Sequence, residues 1–541
     1  MILIASGADL KGDFVSEVGL TPPSFLPIGN RRLYERQVAF LKDDCSSLED
    51  IYLSIPASYK MDDYDAQRLQ ELGVRFLRVP DDLSLGDSIL YCWNASGKHY
   101  DSFTLLHGDT LFLNSYFKEI DFISVHPNRG FYRRAKLGKV AGVLECLHSD
   151  WAGENDQVIS GFFSFSKSYC LMKALVESKS DFIQAIVNYH QAQAMSLNSS
   201  GEWLDFGHIN SFYHSRTRIT TQRSFNELTI NPRSVAKASK NNSRKIFAEG
   251  NWFDQLPLSL RLYTPALLHL DRGKGDFHGA NYQLEYLYLL PLSDLFVFAR
   301  LEKDSWETIF NSINTMLLDF ASHPLIINKP DLLEMADSLY LEKTLRRLDQ
   351  FDQKSGFDIY STYVGLAGDE MFTLIEVARY SEKWIKAAKP NDMTIIHGDL
   401  CFSNILYDSR VEAIKCIDPR GITANGKISL YGDRRYELAK IYHSVIGLYD
   451  LIISGRFKFS KNTTNEYEIK FFHNDGLYQD IADKFRLKVL AESGYEEKEI
   501  LAITIHLFLS MLPLHSDNSK RQEAFIANAL RLFKSLREMD K

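Results

Sequence analysis

The spacing of hydrophobic residues divides the chain into two parts. Up to about residue 218, short runs of β-branched and aromatic residues alternate with segments whose apolar residues recur at helical spacing. That alternation is typical of βαβ units around a mainly parallel sheet. The pattern predicts strands over residues 2–5, 51–55, 75–79 and 103–106, and helices over 33–41, 62–72 and 87–95. We therefore expect the first part to be an open α/β sheet.

The second part has a mainly helical pattern. Between residues 216 and 245 basic residues greatly outnumber acidic ones, and we place a domain junction near residue 220. The pattern is mixed up to about residue 300. Beyond that point, long amphipathic segments predict helices over residues 306–320, 332–351, 372–388 and 522–539.

Composition and charge restrict the class of protein. The 541 residues are 45% hydrophobic and 24% charged, which is the composition of a folded globular protein. The 62 Lys and Arg residues against 70 Asp and Glu residues give a net charge of −8. This balance argues against coating of nucleic acid through bulk charge, so we predict no nucleic-acid partner.

Cysteines and apolar segments bear on location. Six cysteines without a C-x-x-C pair suit reduced thiols in the cytoplasm better than disulfides or a zinc site. The start, MILIASGADL, lacks the features of a signal peptide. The most apolar later stretches, residues 286–300 and 500–514, are interrupted by polar residues and proline. We expect a cytoplasmic protein without membrane insertion.

The strongest chemical signal lies in HGDLCFSN, residues 397–404, and IDPRG, residues 417–421. Phosphoryl transfer needs a carboxylate that accepts the proton of the attacking hydroxyl, and oxygen ligands for Mg²⁺ at the nucleotide phosphates. Asp399, Asn404 and Asp418 supply such groups in the right order. The alternative, that the loop is an ordinary capped turn, is disfavoured because three elements keep this order and spacing.

The spacing H-x-D-x-x-x-x-N is that of the protein-kinase catalytic loop, but Gly398 stands where protein kinases have Arg. The chain from about residue 220 resembles the aminoglycoside phosphotransferase and choline kinase group. This resemblance implies Asp399 as the catalytic base, with Asn404 and Asp418 as Mg²⁺ ligands. Further on, Glu437 stands where the group has Asp in G-D-x-x-x-D-L-A.

The same resemblance implies nucleotide-binding residues further upstream. Lys237 looks like the strand Lys that contacts the α and β phosphates, and Glu249 like its partner on a helix; Lys240 is an alternative to Lys237. A solvated strand Lys and a surface helix Glu are an equally open interpretation. The segment YQLEY, residues 282–286, looks like a hinge, which implies nucleotide binding at Glu285 and Tyr286.

A second signal lies in the first part of the chain. An apolar strand ends in Gly108-Asp109, and WLDFGH follows at residues 203–208. Together they resemble the sugar-phosphate nucleotidyltransferases, and the resemblance implies that Asp109 and Asp205 hold Mg²⁺ at the triphosphate under attack. Taken singly, Asp109 could instead cap a helix and Trp203 could be a core aromatic residue.

Other pieces of the nucleotidyltransferase pattern follow in order. The resemblance implies a nucleotide-binding loop at residues 5–11 and a Gly-rich turn at 84–88. It also implies a sugar-site strand at 161–163. The candidate residues are Gly7 and Gly86 for nucleotide binding, Lys11 for catalysis, and Gly161 and Trp203 for substrate binding.

Two departures concern the phosphate-binding cations of that family. Pro23 stands where the family has a Lys, and a proline supplies no cation. Lys11 stands where the family has an Arg. Lys11, with help from Arg31, Arg32 or a basic residue within 129–139, would then have to balance the negative charge of the transition state. Otherwise the domain would bind its ligands without catalysing a reaction.

The two resemblances define the expected fold class, α/β. Residues 1–218 should form a Rossmann-like nucleotidyltransferase domain with a mixed, mostly parallel sheet. Residues 219–541 should form a two-lobed, protein-kinase-like α+β domain, with its small lobe at about 219–290 and a helical large lobe at about 291–541.

The resulting functional hypothesis is bifunctional activation of a small hydroxyl compound, namely a sugar, polyol or amino alcohol. The C-terminal domain would phosphorylate it from ATP, and the N-terminal domain would transfer a nucleotidyl group to the phosphate, with Mg²⁺ at both sites. The product class would be a building block for capsule polysaccharide or a related glycoconjugate. One alternative is a kinase with a silent N-terminal binding module, and another is a scaffold of two inactive domains. The sequence leaves open which acceptor and which second nucleoside triphosphate are used. It is compatible with a homo-oligomer and does not fix the oligomeric state.

Overall fold

The computed structural model describes the chain except for residues 45–49, 118, 129–132, 138–145, 154–155, 220–226, 240–241 and 327–338. Two compact units result. The first contains Met1–Thr220 with Phe298–Arg300, and the second contains Thr221–Val297 with Leu301–Lys541. Lys240, part of the basic run 129–139 and the start of the helix predicted at 332 lie outside the described residues.

The first unit is built on a mixed sheet with a parallel centre. The strands of the unit are β1 Ile2–Ala5, β2 Ile51–Pro56, β3 Val74–Val79, β4 Phe103–His107, β5 Thr110–Leu113, β6 Phe122–Pro127, β7 Arg133–Leu137, β8 Cys146–Trp151, β9 Gln157–Phe165, β10 Ser196–Asn198 and β11 Glu202–Asp205. Strands β5 and β11 form a separate two-stranded sheet. The main order is β10-β6-β9-β4-β1-β2-β3. β1 pairs in parallel with β2 and β4, while β9 runs antiparallel to β4 and β6.

Helices surround this sheet. They are Asp13–Val18, Leu33–Asp44, Asp63–Glu71, Leu85–Ala95, Ser168–Glu177, Phe182–Ala192 and Ile209–Ile219. The strands at the centre are nearly all apolar because both faces of the sheet are covered. A buried cluster joins Leu3 and Leu105 of the sheet to Leu171 and Ile186 of the helices. The predicted mixed, mostly parallel sheet is confirmed.

The second unit begins with an antiparallel sheet and one helix. The strands are β12 Glu227–Asn231, β13 Ser234–Ala238, β14 Leu267–Asp271 and β15 Asn281–Glu285, in the order β12-β13-β15-β14. The helix Ser243–Gln255 packs against this sheet and buries Trp252 and Phe253. These elements lie within the range, about residues 219–290, for which the sequence predicts a small lobe.

The rest of the second unit is mainly helical. Its helices are Leu292–Phe298, Lys303–Ala321, Leu341–Ser355, Leu374–Glu382, Arg434–Val445, Tyr449–Ile453, Asp475–Phe485, Ala491–Ser493, Glu497–Met511 and Ser519–Glu538. Short strands lie between them: β16 Leu290–Pro291, β17 Gly365–Leu366, β18 Met393–Ile395, β19 Ile405–Asp408, β20 Ala413–Cys416, β21 Tyr431–Asp433, β22 Phe457–Lys461 and β23 Glu466–Phe471. The predicted α+β class is confirmed.

One predicted helix is shorter than the hydrophobic pattern suggested. The segment 372–388 is helical only over Leu374–Glu382. It begins at a capping box in which Thr373 and Glu376 exchange side-chain and backbone hydrogen bonds. Beyond Glu382 the chain turns, and the N–H of Lys386 donates to Glu499 at 3.0 Å instead of continuing the helix.

The most apolar helix belongs to the core of the second unit. Among the described residues, the segment Glu497–His515 is the one that has the length and composition of a membrane span. However, 83% of its apolar window is buried inside the protein. It contacts the helices Arg434–Val445 and Ser519–Glu538, as a core helix does.

Candidate functional sites

A buried carboxylate fixes the loop that begins with His397-Gly398-Asp399, which we call the HGD loop. The loop follows β18, and β18 pairs with β21, which leads directly into the helix that carries Glu437. The two oxygens of Glu437 accept hydrogen bonds from the N–H groups of His397 and Gly398, at 2.8 and 2.7 Å. Burial raises the pKa of Glu437 to about 7. Gly398 has φ of +82°, and a Cβ there would lie 2.6 Å from the Arg420 side chain, so only Gly fits.

His397 links the HGD loop to the IDPRG segment, residues 417–421. Its Nε2 donates to the Ile417 carbonyl at 2.9 Å, and its Nδ1 accepts from the Asp399 N–H at 3.3 Å. This pattern requires a neutral imidazole with the proton on Nε2. Burial lowers the pKa of His397 to about 4. The residue therefore positions the loop and is not a proton carrier near neutral pH.

The buried imidazole predicts a pH-dependent loss of stability. Because the unfolded chain protonates His397 near its usual 6.5 and the folded chain only near 4, the unfolded state binds more protons between these values. Stability is retained above pH 6.5 and falls towards pH 4, by up to about 1.4 kcal/mol per pH unit from this group. Urea unfolding at pH 7.5, 6.5 and 5.5 should show a steeper loss for the natural protein than for His397→Gln. Parallel pH dependences in the two proteins would contradict this assignment.

Asp399 lies beside Asn404 and a buried lysine. Asn404 Nδ2 donates to the Asp399 carbonyl at 2.9 Å and approaches its Oδ2 at 3.4 Å. Lys440 Nζ lies 2.7 Å from Asp399 Oδ1. Although the partial burial of Asp399 opposes its ionisation, Lys440 holds the pKa of Asp399 well below its usual range. The Asp399 side chain is 45% exposed, so a charged carboxylate faces the solvent side of the site.

A hairpin brings Asp418 next to Asn404. β19 and β20 pair antiparallel, and the N–H of Ile417 donates to the Asn404 carbonyl at 3.0 Å. Asp418 adopts φ of +57°. The register of the two strands explains how residues fourteen positions apart in the sequence come to lie next to each other.

Three distant segments meet at Lys237. Its Nζ lies 2.6 Å from Glu249 Oε2 and 3.1 Å from Asp418 Oδ1. Although burial opposes it, the two carboxylates raise the pKa of Lys237. Lys237 is 8% and Glu249 2% exposed, so neither is a solvated surface residue. Tyr282 also donates to Glu249, at 3.0 Å.

The candidate hinge residues have their N–H groups engaged in the fold. The N–H of Glu285 donates to the Ala266 carbonyl at 2.9 Å, and that of Tyr286 donates to the Arg233 carbonyl at 3.0 Å. A nucleotide base that contacts the main chain of this segment therefore has to use groups other than these two N–H donors.

The two aspartates of the first unit are brought together by strand pairing. β11 runs antiparallel to β5 with Asp205 opposite Thr110, the residue after Asp109. A Cβ on Gly207 would collide with the Asp109 carboxylate and would lie 3.4 Å from Asp205 Oδ1. The two carboxylates therefore converge at Gly207, and the G of W-x-D-x-G is required by this close approach.

The electrostatics of this pair suit a cation. Burial and the nearby Asp205 raise the pKa of Asp109. Against the effect of burial, His208 and Arg134 lower the pKa of Asp205 to about 2. Repulsion between two buried carboxylates falls when a cation binds to both.

Sequence reasoning did not single out Arg134, which lies within the basic run 129–139. Its Nη2 contacts Asp205 Oδ2, and its guanidinium carbon lies 4.8 Å from the centre of the Trp203 ring. Trp203 and Arg134 thus both adjoin the aspartate pair. The basic residues of the run indicated a cation here, and among those whose side chains are described, strand β7 places Arg134 at Asp205.

The other residues predicted for the first unit occupy different settings. Gly161 lies in β9 with φ of +90°, close to His107 and Thr110, and so adjoins the aspartate pair. Gly7 follows β1 and lies close to Ser54 and Ser88. Gly86 lies in the first turn of the helix Leu85–Ala95.

The candidate cations outside the run differ in accessibility. Lys11 is exposed. Arg32 is buried, and its guanidinium bonds to Asp65 at 3.3 Å and to the Phe25 carbonyl at 2.6 Å, which is a structural role. Pro23 begins a short 3₁₀ turn, Pro23–Phe25, and provides no charge.

Both sites offer the oxygen ligands that Mg²⁺ prefers. Among the described residues, no group of three or more His, Cys, Asp or Glu forms a complete cage for a metal ion. Mg²⁺ in nucleotide sites is commonly held by one or two carboxylates together with substrate phosphates. The pair Asp109 and Asp205, and the adjacent Asn404 and Asp418, fit that kind of site.

Comparison with known proteins gives two groups of similar structures. No protein-family model and no curated protein matches the sequence. A nucleoside-diphosphate-sugar pyrophosphorylase from Vibrio cholerae is 14% identical, covering 40% of this chain and 99% of its own, with a TM-score of 0.32. HddC from Yersinia pseudotuberculosis, solved with GMP-PN, is 15% identical over 40% of this chain and 98% of its own, with a TM-score of 0.29.

The second group covers a different part of the chain. A spectinomycin phosphotransferase, solved with ADP and spectinomycin, is 13% identical over 59% of this chain and 87% of its own, with a TM-score of 0.27. The similar structures thus fall into the two classes predicted from the sequence, nucleotidyltransferases and aminoglycoside phosphotransferases.

Proposed function

We propose that the second unit is a kinase that transfers the γ-phosphoryl group of ATP to the hydroxyl of a small molecule. The observation that carries the proposal is the assembly of Lys237, Glu249 and Asp418 from three distant segments. A buried lysine held by a helix carboxylate and a second carboxylate is the arrangement that kinase-like enzymes use for the nucleotide phosphates.

The reaction follows from the positions of the side chains. Asp399, kept ionised by Lys440, accepts the proton of the attacking hydroxyl. The acceptor oxygen forms a bond to the γ-phosphorus while the bond from that phosphorus to the β,γ-bridging oxygen breaks, and ADP leaves. Lys237 binds the phosphates, and Glu249 fixes the direction of Lys237. Mg²⁺, held by Asn404 and Asp418, would neutralise charge on the phosphate oxygens.

We propose nucleotidyl transfer to a sugar phosphate for the first unit. The acceptor's phosphate oxygen would attack the α-phosphorus of a nucleoside triphosphate, and pyrophosphate would leave. Asp109 and Asp205 would hold Mg²⁺, which neutralises triphosphate charge. Arg134 and the exposed Lys11 would supply positive charge to the phosphates, and Trp203 and Gly161 would face the acceptor. Gly7 and Gly86 would adjoin the nucleotide.

The two activities would act in sequence on one compound. Carrying both on one chain raises the local concentration of the phosphorylated intermediate.

We further propose a cytoplasmic role in making activated building blocks for capsule polysaccharide or a related glycoconjugate. In the kinase unit, Glu285 and Tyr286 would lie next to the adenine base of ATP. Groups other than the main-chain N–H groups of these two residues would contact the adenine.

The proposal is tested by supplying the full chain with ATP, Mg²⁺, mixed nucleoside triphosphates and a panel of sugars, polyols and amino alcohols. Mass spectrometry should detect a phosphorylated acceptor and then a nucleotide-linked product. Calorimetry should detect Mg²⁺-dependent ATP binding that Asp418→Ala abolishes. Absence of both ATP binding and phosphorylation would overturn the kinase assignment.

A second candidate, a kinase with a silent first unit, is favoured by Pro23. It removes a cation at the position where the nucleotidyltransferases use one. The two candidates differ in one readout, which is pyrophosphate release from a broad panel of sugar phosphates with each nucleoside triphosphate. Complete silence across that panel, with phosphorylation intact, would support the silent unit.

A further inference from the structure

A group of cations lies around Tyr436, next to the candidate catalytic base. We call it the basic cluster, and it consists of Lys343, Arg347, Arg420 and Lys440. Lys343 Nζ lies 3.0 Å and Arg420 Nη1 3.5 Å from the Tyr436 hydroxyl. Arg347 lies one helical turn after Lys343 in the helix Leu341–Ser355.

Lys343 is the most unusual member because it is a buried ammonium group. It is 7% exposed. In the part of the chain that the structure describes, its one hydrogen bond is to the Tyr436 hydroxyl, and no carboxylate forms an ion pair with it. An ammonium group has three donors, and burying it without a carboxylate is unfavourable. Burial, with Arg420 and Lys440 nearby, lowers the pKa of Lys343 to about 8.

Tyr436 reports the local electrostatic potential. Burial alone would raise the pKa of its hydroxyl. The charges of Lys343, Arg420 and Lys440 instead lower that pKa to about 7. The region around this oxygen therefore stabilises negative charge strongly enough to outweigh the desolvation of the phenolate.

In the part of the chain that the structure describes, the neighbouring carboxylates are engaged elsewhere or too few to balance the cluster. Asp399 pairs with Lys440, and Glu437 is committed to the backbone N–H groups of the HGD loop. Arg435, adjacent in sequence, is balanced separately by Asp433 and Glu499, at 2.6 and 2.7 Å. Among the described residues, four cations thus face two carboxylates and the Tyr436 hydroxyl, and a bound anion would relieve their mutual repulsion.

The position of the cluster indicates which substrate would bring that anion. Lys440 joins it directly to Asp399, the proposed base for the acceptor hydroxyl. The donor phosphates are assigned to Lys237 and Asp418, a network to which the helix Leu341–Ser355 contributes no contact among the described residues. An anion on the basic cluster would therefore belong to the acceptor.

We propose that the hydroxyl compound phosphorylated by the second unit carries a phosphate or carboxylate group, which the basic cluster binds while Asp399 engages the hydroxyl. The inference rests on the proposed kinase function and narrows its acceptor. Cationic acceptors such as amino alcohols are disfavoured, because they would be placed beside an excess of positive charge.

The activity test compares matched acceptors in the full-length protein. A hexose, its 6-phosphate and the corresponding uronic acid would be assayed with ATP and Mg²⁺, alongside choline as a cationic acceptor. We expect turnover of the phosphate or carboxylate form in preference to the neutral and cationic ones, and the two anionic arms distinguish the source of the charge. For the anionic acceptor, Lys343→Met and Arg347→Gln should each raise KM about 10- to 100-fold.

A matched control lies on the same helix. Lys354 is exposed near the helix end, so Lys354→Gln removes one charge outside the cluster and should leave KM unchanged. The KM for ATP should stay the same in all three variants, since none of these residues contacts Lys237 or Asp418.

Anion binding can be measured even before the acceptor is identified, and it tests the inference directly. Calorimetric titration with inorganic phosphate, and separately with malonate, in the presence of saturating ADP and Mg²⁺ should show binding that weakens at least about 10-fold in Lys343→Met and not in Lys354→Gln. Preferred turnover of neutral or cationic acceptors would overturn the inference while leaving the kinase intact. Identical anion isotherms in Lys343→Met and the natural protein would also overturn it. Failure of ATP binding itself would instead overturn the kinase function.

Discussion

Replacing Asp399 by Asn should abolish phosphorylation and leave ATP binding nearly unchanged. The amide keeps the size of the side chain but cannot accept the proton of the acceptor hydroxyl. Loss of a general base typically costs 10²- to 10⁴-fold in rate, so we expect kcat to fall by about that factor. The HGD loop should stay in place, because its anchors are Glu437 and His397 and neither bonds to the Asp399 side chain.

Steady-state phosphorylation and calorimetric ATP binding measure the two parts of this prediction. Asp408→Asn is a suitable control, since Asp408 lies on the neighbouring strand β19 and its ion pair among the described residues is the local one with Arg410. Nucleotidyl transfer to a supplied sugar phosphate should continue at its normal rate in Asp399→Asn. A kcat within a few-fold of the natural value would remove Asp399 from the role of base.

The complementary result is expected for Asp109→Asn and Asp205→Asn. Each substitution removes a carboxylate ligand from the proposed Mg²⁺ site, and pyrophosphate release should fall about 1,000-fold. Phosphorylation by the second unit should be retained.

Stability separates a catalytic effect from unfolding in these variants. Because burial and Asp205 raise the pKa of Asp109, its ionised form destabilises the folded state at neutral pH. Asp109→Asn should therefore keep or increase the Tm while losing activity. Asp205→Asn should lower the Tm, since it loses the contact with Arg134. Asp43→Asn, on an exposed position of the helix Leu33–Asp44, serves as the control.

Pyrophosphate release and thermal unfolding measure these outcomes together. A lower Tm in Asp109→Asn would contradict the repulsion between the two carboxylates. If a single substitution in either unit abolished both activities in a folded protein, the assignment of two independent sites would be wrong.

Much of the fold follows from local sequence. The central strands of the first unit are apolar runs, and a strand buried on both faces requires that composition. The helix at 372–388 shows the limit of periodicity, because a tertiary hydrogen bond to Glu499 competes with the helix beyond Glu382. Hydrophobic spacing predicts where a helix can form, while contacts with distant residues decide where it ends.

The candidate sites divide in a similar way. The sequence by itself determined the groups whose spacing is fixed by a short loop or hairpin, namely Asp399 with Asn404, and Asp205 with Gly207. It also predicted Lys237 and Glu249, but could not separate a buried ion pair from two solvated side chains. Burial of both residues and their meeting with Asp418 exist only in the folded unit.

Only the tertiary structure placed Arg134 at Asp205, among the described residues of the basic run, and only it gathered Lys343, Arg420 and Lys440 around Tyr436. The three residues around Tyr436 lie on separate segments, with 97 positions between Lys343 and Lys440. Arg420 belongs to IDPRG, but no spacing in the sequence links it to the two lysines. The physical reason is that a spaced motif records covalent geometry within one segment. An electrostatic environment is instead the sum of charges that packing brings together, and no single segment carries that sum.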